Sequence, residues 1–191
     1  MGGDWSSEVV KGVILDCVRD LVRTKFGDSA WKQILDGSEL ASSSFIASAN
    51  VSEEKFHPFL RHVAEVLELK QDALFKAFAA HWVHVYSPRM YKIFYQQVTS
   101  ARDFIVSIDN IHETMTMNIA DATPPRFTYQ WTDDRTLVIQ YRSSRNLAEL
   151  ACALLVEIGV KYDEPLTARV LDDTKIVVTF FAKGPTPLPS R

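Results

Sequence analysis

The adjacent prolines Pro124 and Pro125 constrain the fold most, because the residue pattern changes character across them. Proline lacks the amide that helices and sheets use, and it pushes the preceding residue out of the helical region. No helix or central strand can therefore run through the pair. Ahead of it, apolar residues recur at helical spacing. Behind it, short runs rich in β-branched and aromatic residues alternate with turn residues.

The helical part reads as several segments. "EVVKGVILDCVRDLVRTKFG" carries Val10, Val13, Ile14, Cys17, Val18, Leu21 and Val22 at helical spacing, with Gly27 as the expected stop. "SAWKQILDG" predicts a short second helix, and the Ser-rich "SELASSS" a loop. "HPFLRHVAEVLELK" places Phe59, Leu60, Val63, Val66 and Leu67 on one face, with Pro58 in the first turn. "DALFKAFAAHWVHVYSP" bears Phe75, Phe78, Trp82 and Tyr86, and Pro88 is its expected end. After the short aromatic "RMYKIFYQQV", a long helix over "ARDFIVSIDNIHETMTMNI" is striped by Phe104, Ile108, Ile111, Met115 and Ile119.

Past the prolines, "RFTYQW" and "TLVIQYR" read as strands joined by "TDD", followed by a helix over "NLAELACALLVEIG". "LTARVLD" and "KIVVTFFA" form a last hairpin around Asp172–Asp173. The expected fold class is α+β: a helical N-terminal lobe, then a four-stranded antiparallel sheet with an inserted helix.

Composition narrows the function classes. At 191 residues the chain suits one domain with a substantial core. A net charge of −3 lacks the positive excess of a nucleic-acid binder. Cys17 and Cys152 sit in apolar helical patterns without a close partner, which fits a reducing compartment. No apolar run spans a bilayer, and "MGGDWSSEVV" lacks the order of a signal peptide, so a cytoplasmic location is expected. The Pro-rich 184–191 reads as a tail or the start of a linker.

Three groups of residues carry candidate chemistry. His112 lies beside the apolar stripe of its helix and reads either as an axial ligand to haem iron or as a hydrogen-bonded boundary histidine. "HWVH" puts His81 and His84 three residues apart, the beginning of a zinc site or simply a structural pair, with no third ligand in view. "YRSSR" alternates Tyr141, Ser143 and Arg145, which in extended chain point the same way and make a fork for an anion. The alternative is that Ser143 or Ser144 caps the next helix while Tyr141 and Arg145 lie on the surface. There is no Gly-x-Ser-x-Gly elbow and no Gly-rich phosphate loop.

Taken together, "DNIH", "ATPPR" and "YRSSR" resemble the haem nitric oxide/oxygen-binding (H-NOX) domain, also the sensor part of soluble guanylate cyclases. The resemblance runs from Lys11 to about residue 183, leaving 1–10 as an N-terminal extension. It implies haem b, with His112 as proximal iron ligand and Tyr141, Ser143 and Arg145 holding the propionates. Pro125 and Ile14 would press on and distort the porphyrin, and Phe104 and Ile108 would line its proximal face. In the distal pocket, Leu150 stands where oxygen-binding members carry a tyrosine, and Val18 where they carry a supporting indole. An apolar pocket gives bound O₂ no hydrogen bond, so NO and CO are the implied ligands. Trp82 and Tyr86 are the alternative donors that would permit O₂.

Such a domain turns over nothing itself. NO would weaken the iron–His112 bond, and the relaxed haem would shift the helical lobe against the sheet-bearing lobe for an output partner to read. That partner would be a cyclase, histidine kinase, diguanylate cyclase or chemotaxis receptor. Two rival readings are a haem-free H-NOX-like module used for protein contact, and a small metalloenzyme built on His81 and His84.

Overall fold

The computed structural model describes residues 9–117, 123–143, 145 and 147–182. They form two compact bodies, one ending at Phe78 and the other beginning at Ala79.

The first body opens with β1 (Val9–Lys11), which pairs antiparallel with β2 (Asn50–Ser52), Val10 opposite Val51. Helix α1 (Gly12–Lys25) follows at once. The first amides of a helix have no partner inside it. Here those of Gly12 and Val13 donate to the Ala49 and Ala47 carbonyls at 2.8 and 3.1 Å. That approach requires Gly12, since a Cβ there would collide with the Ile46 carbonyl.

Gly27, expected to stop the first helix, does so while also opening α2 (Gly27–Asp36) with φ +88°, a conformation costly to other residues. A 3₁₀ turn at Ser42–Phe45 interrupts the expected serine loop and turns Phe45 inward. Phe45 meets Trp31 and Phe59 edge-on at 5.1 and 5.7 Å between centroids. Helix α3 (Glu53–Val66) starts earlier than the sequence pattern implies, so Pro58 lies inside it rather than in its first turn. The main-chain bond forgone there is the one to the Glu54 carbonyl.

Helix α4 (Gln71–His81) leads into the second body. Pro88 does not end this run. A π-helical turn over Trp82–Tyr86 precedes it, and the chain stays helical through α5 (Ser87–Met90). Pro88 has no amide for the α-pattern, and the widened turn absorbs the mismatch. Its closing bonds both come from Ser87, whose amide and Oγ donate to the Trp82 carbonyl, the latter at 2.7 Å. Helix α6 (Lys92–Gln96) follows.

Helix α7 (Ala101–Thr116) is capped by Ser100, whose Oγ accepts from the Asp103 amide at 3.1 Å. Its buried stripe is shorter than expected, because Met115 is 36% exposed. Ile119 lies outside the described residues.

The expected β-β-α-β-β order holds: β3 (Arg126–Trp131), β4 (Thr136–Arg142), α8 (Ala148–Lys161), β5 (Leu166–Asp172) and β6 (Lys175–Phe180). The four strands form one antiparallel sheet in the order β3-β4-β6-β5. Strand alternation sends Leu137, Ile139 and Tyr141 of β4 and Ile176, Val178 and Phe180 of β6 into the core. There they meet Phe104 and Ile105 of α7 and Leu155 and Ile158 of α8. Burying a side chain of this size stabilises by about 1.5–3 kcal/mol. Helix α8 is apolar on nearly every side, and half-buried Ala151, Leu154 and Val156 pack against the same core. Among the described residues no helix is long and apolar enough to cross a membrane.

Candidate functional site

Three candidates of the second body, His112, Tyr141 and Arg145, gather where the end of α7 meets the start of β3 and the end of β4. Strand register sets the first contact. Phe127 of β3 stands opposite Tyr141 of β4, and their rings lie 5.4 Å apart. His112 then stacks on the other ring of that pair, 5.5 Å from Phe127 and 16° from parallel. His112, Phe127 and Tyr141 thus form one continuous aromatic series. Tyr141 is 5% exposed and belongs to the core, not to the surface.

One turn before His112, Asp109 locks the helix to the strand. Arg126 Nε and Nη2 donate to its two carboxylate oxygens at 2.9 and 2.8 Å, and the Phe127 amide donates at 2.8 Å. The Asp109 amide in turn donates to the Tyr129 hydroxyl at 3.2 Å. The Arg126 fork holds the Asp109 carboxyl below the usual carboxylate range, against a smaller opposing effect of burial. Burial pushes the Tyr129 phenol up.

His112 is different. Its Nδ1 is buried and makes no hydrogen bond of ordinary geometry among the described residues, although the Ile108 carbonyl one turn back lies close enough to act on the ring. Burial lowers the pKa of the ring, and the Arg145 cation pushes the same way. The Ile108 carbonyl and the Asp109 carboxylate oppose them without prevailing. Arg145 therefore shares the electrostatic surroundings of the ring.

The signature residues do not make the straight fork that extended chain implies. Strand β4 ends at Arg142, so the alternation holds for Tyr141 and fails beyond it. Ser143 and Arg145 lie in the turn that follows, where Ser143 Oγ accepts the Arg145 amide at 3.2 Å. Arg145 Nη2 reaches the Thr123 carbonyl at 2.8 Å. The guanidinium is thus tied to the residue just before Pro124 and the half-buried Pro125. Ser143 does not cap α8, whose N-cap is Leu147 without a side-chain bond. Ser144 lies outside the described residues.

The remaining candidates are more dispersed. Phe104 is core, stacked on Tyr95 at 4.7 Å and tilted against Tyr162 at 5.7 Å. Ile108 is half-buried against the same core. Leu150 is buried on α8, a helix without a hydroxyl side chain along its length. Trp82 and Tyr86 stack on each other at 5.6 Å within the π-turn. In the first body, Val18 is buried and Ile14 half-buried on α1. His84 pairs with Glu157 of α8 at 2.8 Å, and among the described residues no group of three or more metal-binding side chains gathers there or elsewhere.

Sequence reading missed Asp109 as a support and Glu157 as the partner of His84. "DNIH" held a signal for the first, since an acid three residues before His112 lies one helical turn away. Nothing in the sequence joined residues 84 and 157.

Solved structures share the fold. The unliganded Fe(II) H-NOX protein from K. algicida is 21% identical, with a TM-score of 0.75 over 91% of this chain and 98% of that one. The H-NOX protein from S. oneidensis in the Fe(II)NO state is 16% identical, with a TM-score of 0.79 over 91% and 100%. An oxygen-binding H-NOX domain related to soluble guanylate cyclases, solved as its oxygen complex, is 14% identical, with a TM-score of 0.76 over 91% and 96%. No curated protein matches the chain in sequence. The family profile described as haem-NO-binding matches residues 11–170. With most of its length covered by that profile, and with the fold in agreement, the chain belongs to the haem-NO-binding, or H-NOX, family.

Proposed function

We propose that this chain is a haem-based gas sensor domain that takes NO and CO at ferrous haem b and excludes O₂. The observation that carries the reading is the His112 ring. It is buried, faces the Ile108 carbonyl one turn back, stacks on Phe127 and lies in the field of the Arg145 cation. A ligating histidine ordinarily sets one ring nitrogen against a backbone carbonyl or carboxylate and leaves the other for the metal. A buried ring beside the Ile108 carbonyl, with its charged form disfavoured, suits that role.

Haem, when bound, supplies an iron centre that takes a diatomic gas. The chain's own residues do the rest. His112 is the iron ligand, oriented by its stack on Phe127 and by the Asp109–Arg126 lock one turn below. Arg145, Ser143 and the Tyr141 hydroxyl hold the propionates, which would be costly to bury unpaired. Thr123 fixes the guanidinium from behind through its carbonyl. Pro125, Phe104 and Ile108 supply apolar packing.

Selectivity rests on what α8 lacks. Leu150 and its neighbours offer no hydroxyl to polarised O₂, whereas NO binding needs no such donor. The ligand state would then be read by an output protein or domain through a shift between two conformations.

Absorption spectra of the haem-loaded ferrous protein test this directly. The expected result is a Soret band that shifts with NO and CO and yields no stable oxy complex in air. A stable oxy complex sinks the selectivity and turns attention to Tyr86 and Trp82. Absence of a Soret band after haem loading favours a haem-free module for protein contact.

A further inference from the structure

Arg102 occupies an unexpected place. It lies in the first turn of α7, where the helix dipole disfavours a cation, and it is 3% exposed. Burying a charge there is costly unless its donors are met. Two separate parts of the second body accept from the guanidinium, and a third accepts from the main chain. Nη1 donates to the Asp134 carbonyl in the β3–β4 turn at 3.0 Å, and Nη2 to the Ala182 carbonyl just past β6 at 2.9 Å. The main-chain amide donates to Glu164 in the loop after α8 at 3.2 Å. The guanidinium also lies over the rings of Phe180 at 4.1 Å and Trp131 at 5.0 Å.

We propose that Arg102 is a relay residue, making the β3–β4 turn and the chain exit after β6 follow displacements of the helix that carries His112. This rests on the proposed reading of His112 as the iron ligand. The two residues are ten apart on one continuous helix, about 15 Å at 1.5 Å per residue. A rigid helix loaded at His112 moves its first turn, and Arg102 is the side chain in that turn bonded to both distant segments. Lysine cannot replace it, because one ammonium lacks the planar fork that reaches two carbonyls while lying over rings.

Hydrogen–deuterium exchange of the haem-loaded full chain, ferrous with and without NO, tests the relay. The reporters are the Phe180 and Phe181 amides, bonded to the Arg135 and Pro165 carbonyls at 2.9 and 3.0 Å. In the unaltered chain, NO is expected to change their exchange at least about twofold. Arg102→Met and Arg102→Lys should abolish that difference while leaving the Soret band and its NO shift in place. Should the methionine variant fail to fold, the lysine variant decides. A loaded, NO-binding variant that keeps the ligand-dependent difference overturns the relay. So does an unaltered chain whose α7 amides respond to NO while these reporters do not. An unaltered chain without a Soret band overturns the haem reading itself and removes the relay's input, a distinct outcome.

Discussion

His84 and His112 belong to the same body and arise from similar sequence, each an imidazole on a helical run rich in apolar residues. Their surroundings differ. His84 Nε2 meets Glu157 Oε2 at 2.8 Å, and both side chains keep part of their surface in water. His112 is buried with the Ile108 carbonyl beside its ring, and the Asp109 carboxylate one turn away is taken up by Arg126 and the Phe127 amide. One histidine is finished by the protein; the other is left for something else to finish. Spacing along a helix cannot separate the two, but the burial of each ring and the groups it meets do.

Replacing His112 should break this contrast most severely. His112→Ala is expected to remove the axial ligand, so the ferrous spectrum loses its histidine-ligated form, and added imidazole should restore it. An unchanged ferrous spectrum would overturn the ligand assignment. The fold should survive, since the ring stacks on Phe127 at the margin of the core.

Arg145→Ala comes next. It removes a charged donor set from the propionates and also the bond to Thr123. Hydrogen bonds to charged groups contribute about 1.5–3 kcal/mol, so haem affinity should fall about tenfold to a hundredfold. Competition with apomyoglobin for haem would measure it. A thermal unfolding midpoint that falls while haem affinity stays constant would assign Arg145 to stability instead.

Helix α8 supplies Glu157 to His84 and, on the proposed reading, carries Leu150 in the distal pocket. Leu150→Tyr adds the hydroxyl that α8 lacks. The expected outcome is a detectable oxy complex in air where the unaltered chain has none, worth about 1 kcal/mol of added hydrogen bonding or somewhat more. If O₂ binding is unchanged, Leu150 does not set the selectivity.

Much of the fold was legible because local pattern dictated it. Strands β3 and β4 match the runs read from alternation, since a half-buried strand must alternate. Around proline the reading failed, because its effect depends on the geometry available. Pro58 was absorbed within α3 and Pro88 by a π-turn, whereas Gly27 ended the first helix as expected and also opened the second. The site was legible in its residues but not in its supports. "DNIH" and "YRSSR" named His112 and Arg145, whereas Asp109–Arg126 and Arg145–Thr123 are non-local pairs. Arg102 gave no sequence signal, since its three partners lie at residues 134, 164 and 182.

The smallest expected effect lies at the other histidine, and it is the control that gives the comparison its meaning. His84→Ala removes a partly exposed pair, and such pairs contribute under about 1 kcal/mol. Glu157 is left without its partner, but its side chain keeps access to water and can be solvated there. The unfolding midpoint should therefore drop by a few degrees at most, and the ferrous spectrum should match that of the unaltered protein with and without NO. Were His84→Ala to disturb the spectrum as His112→Ala does, a satisfied hydrogen bond would no longer mark a structural histidine in this chain. The inference from the buried ring of His112 to the iron would then lose its ground.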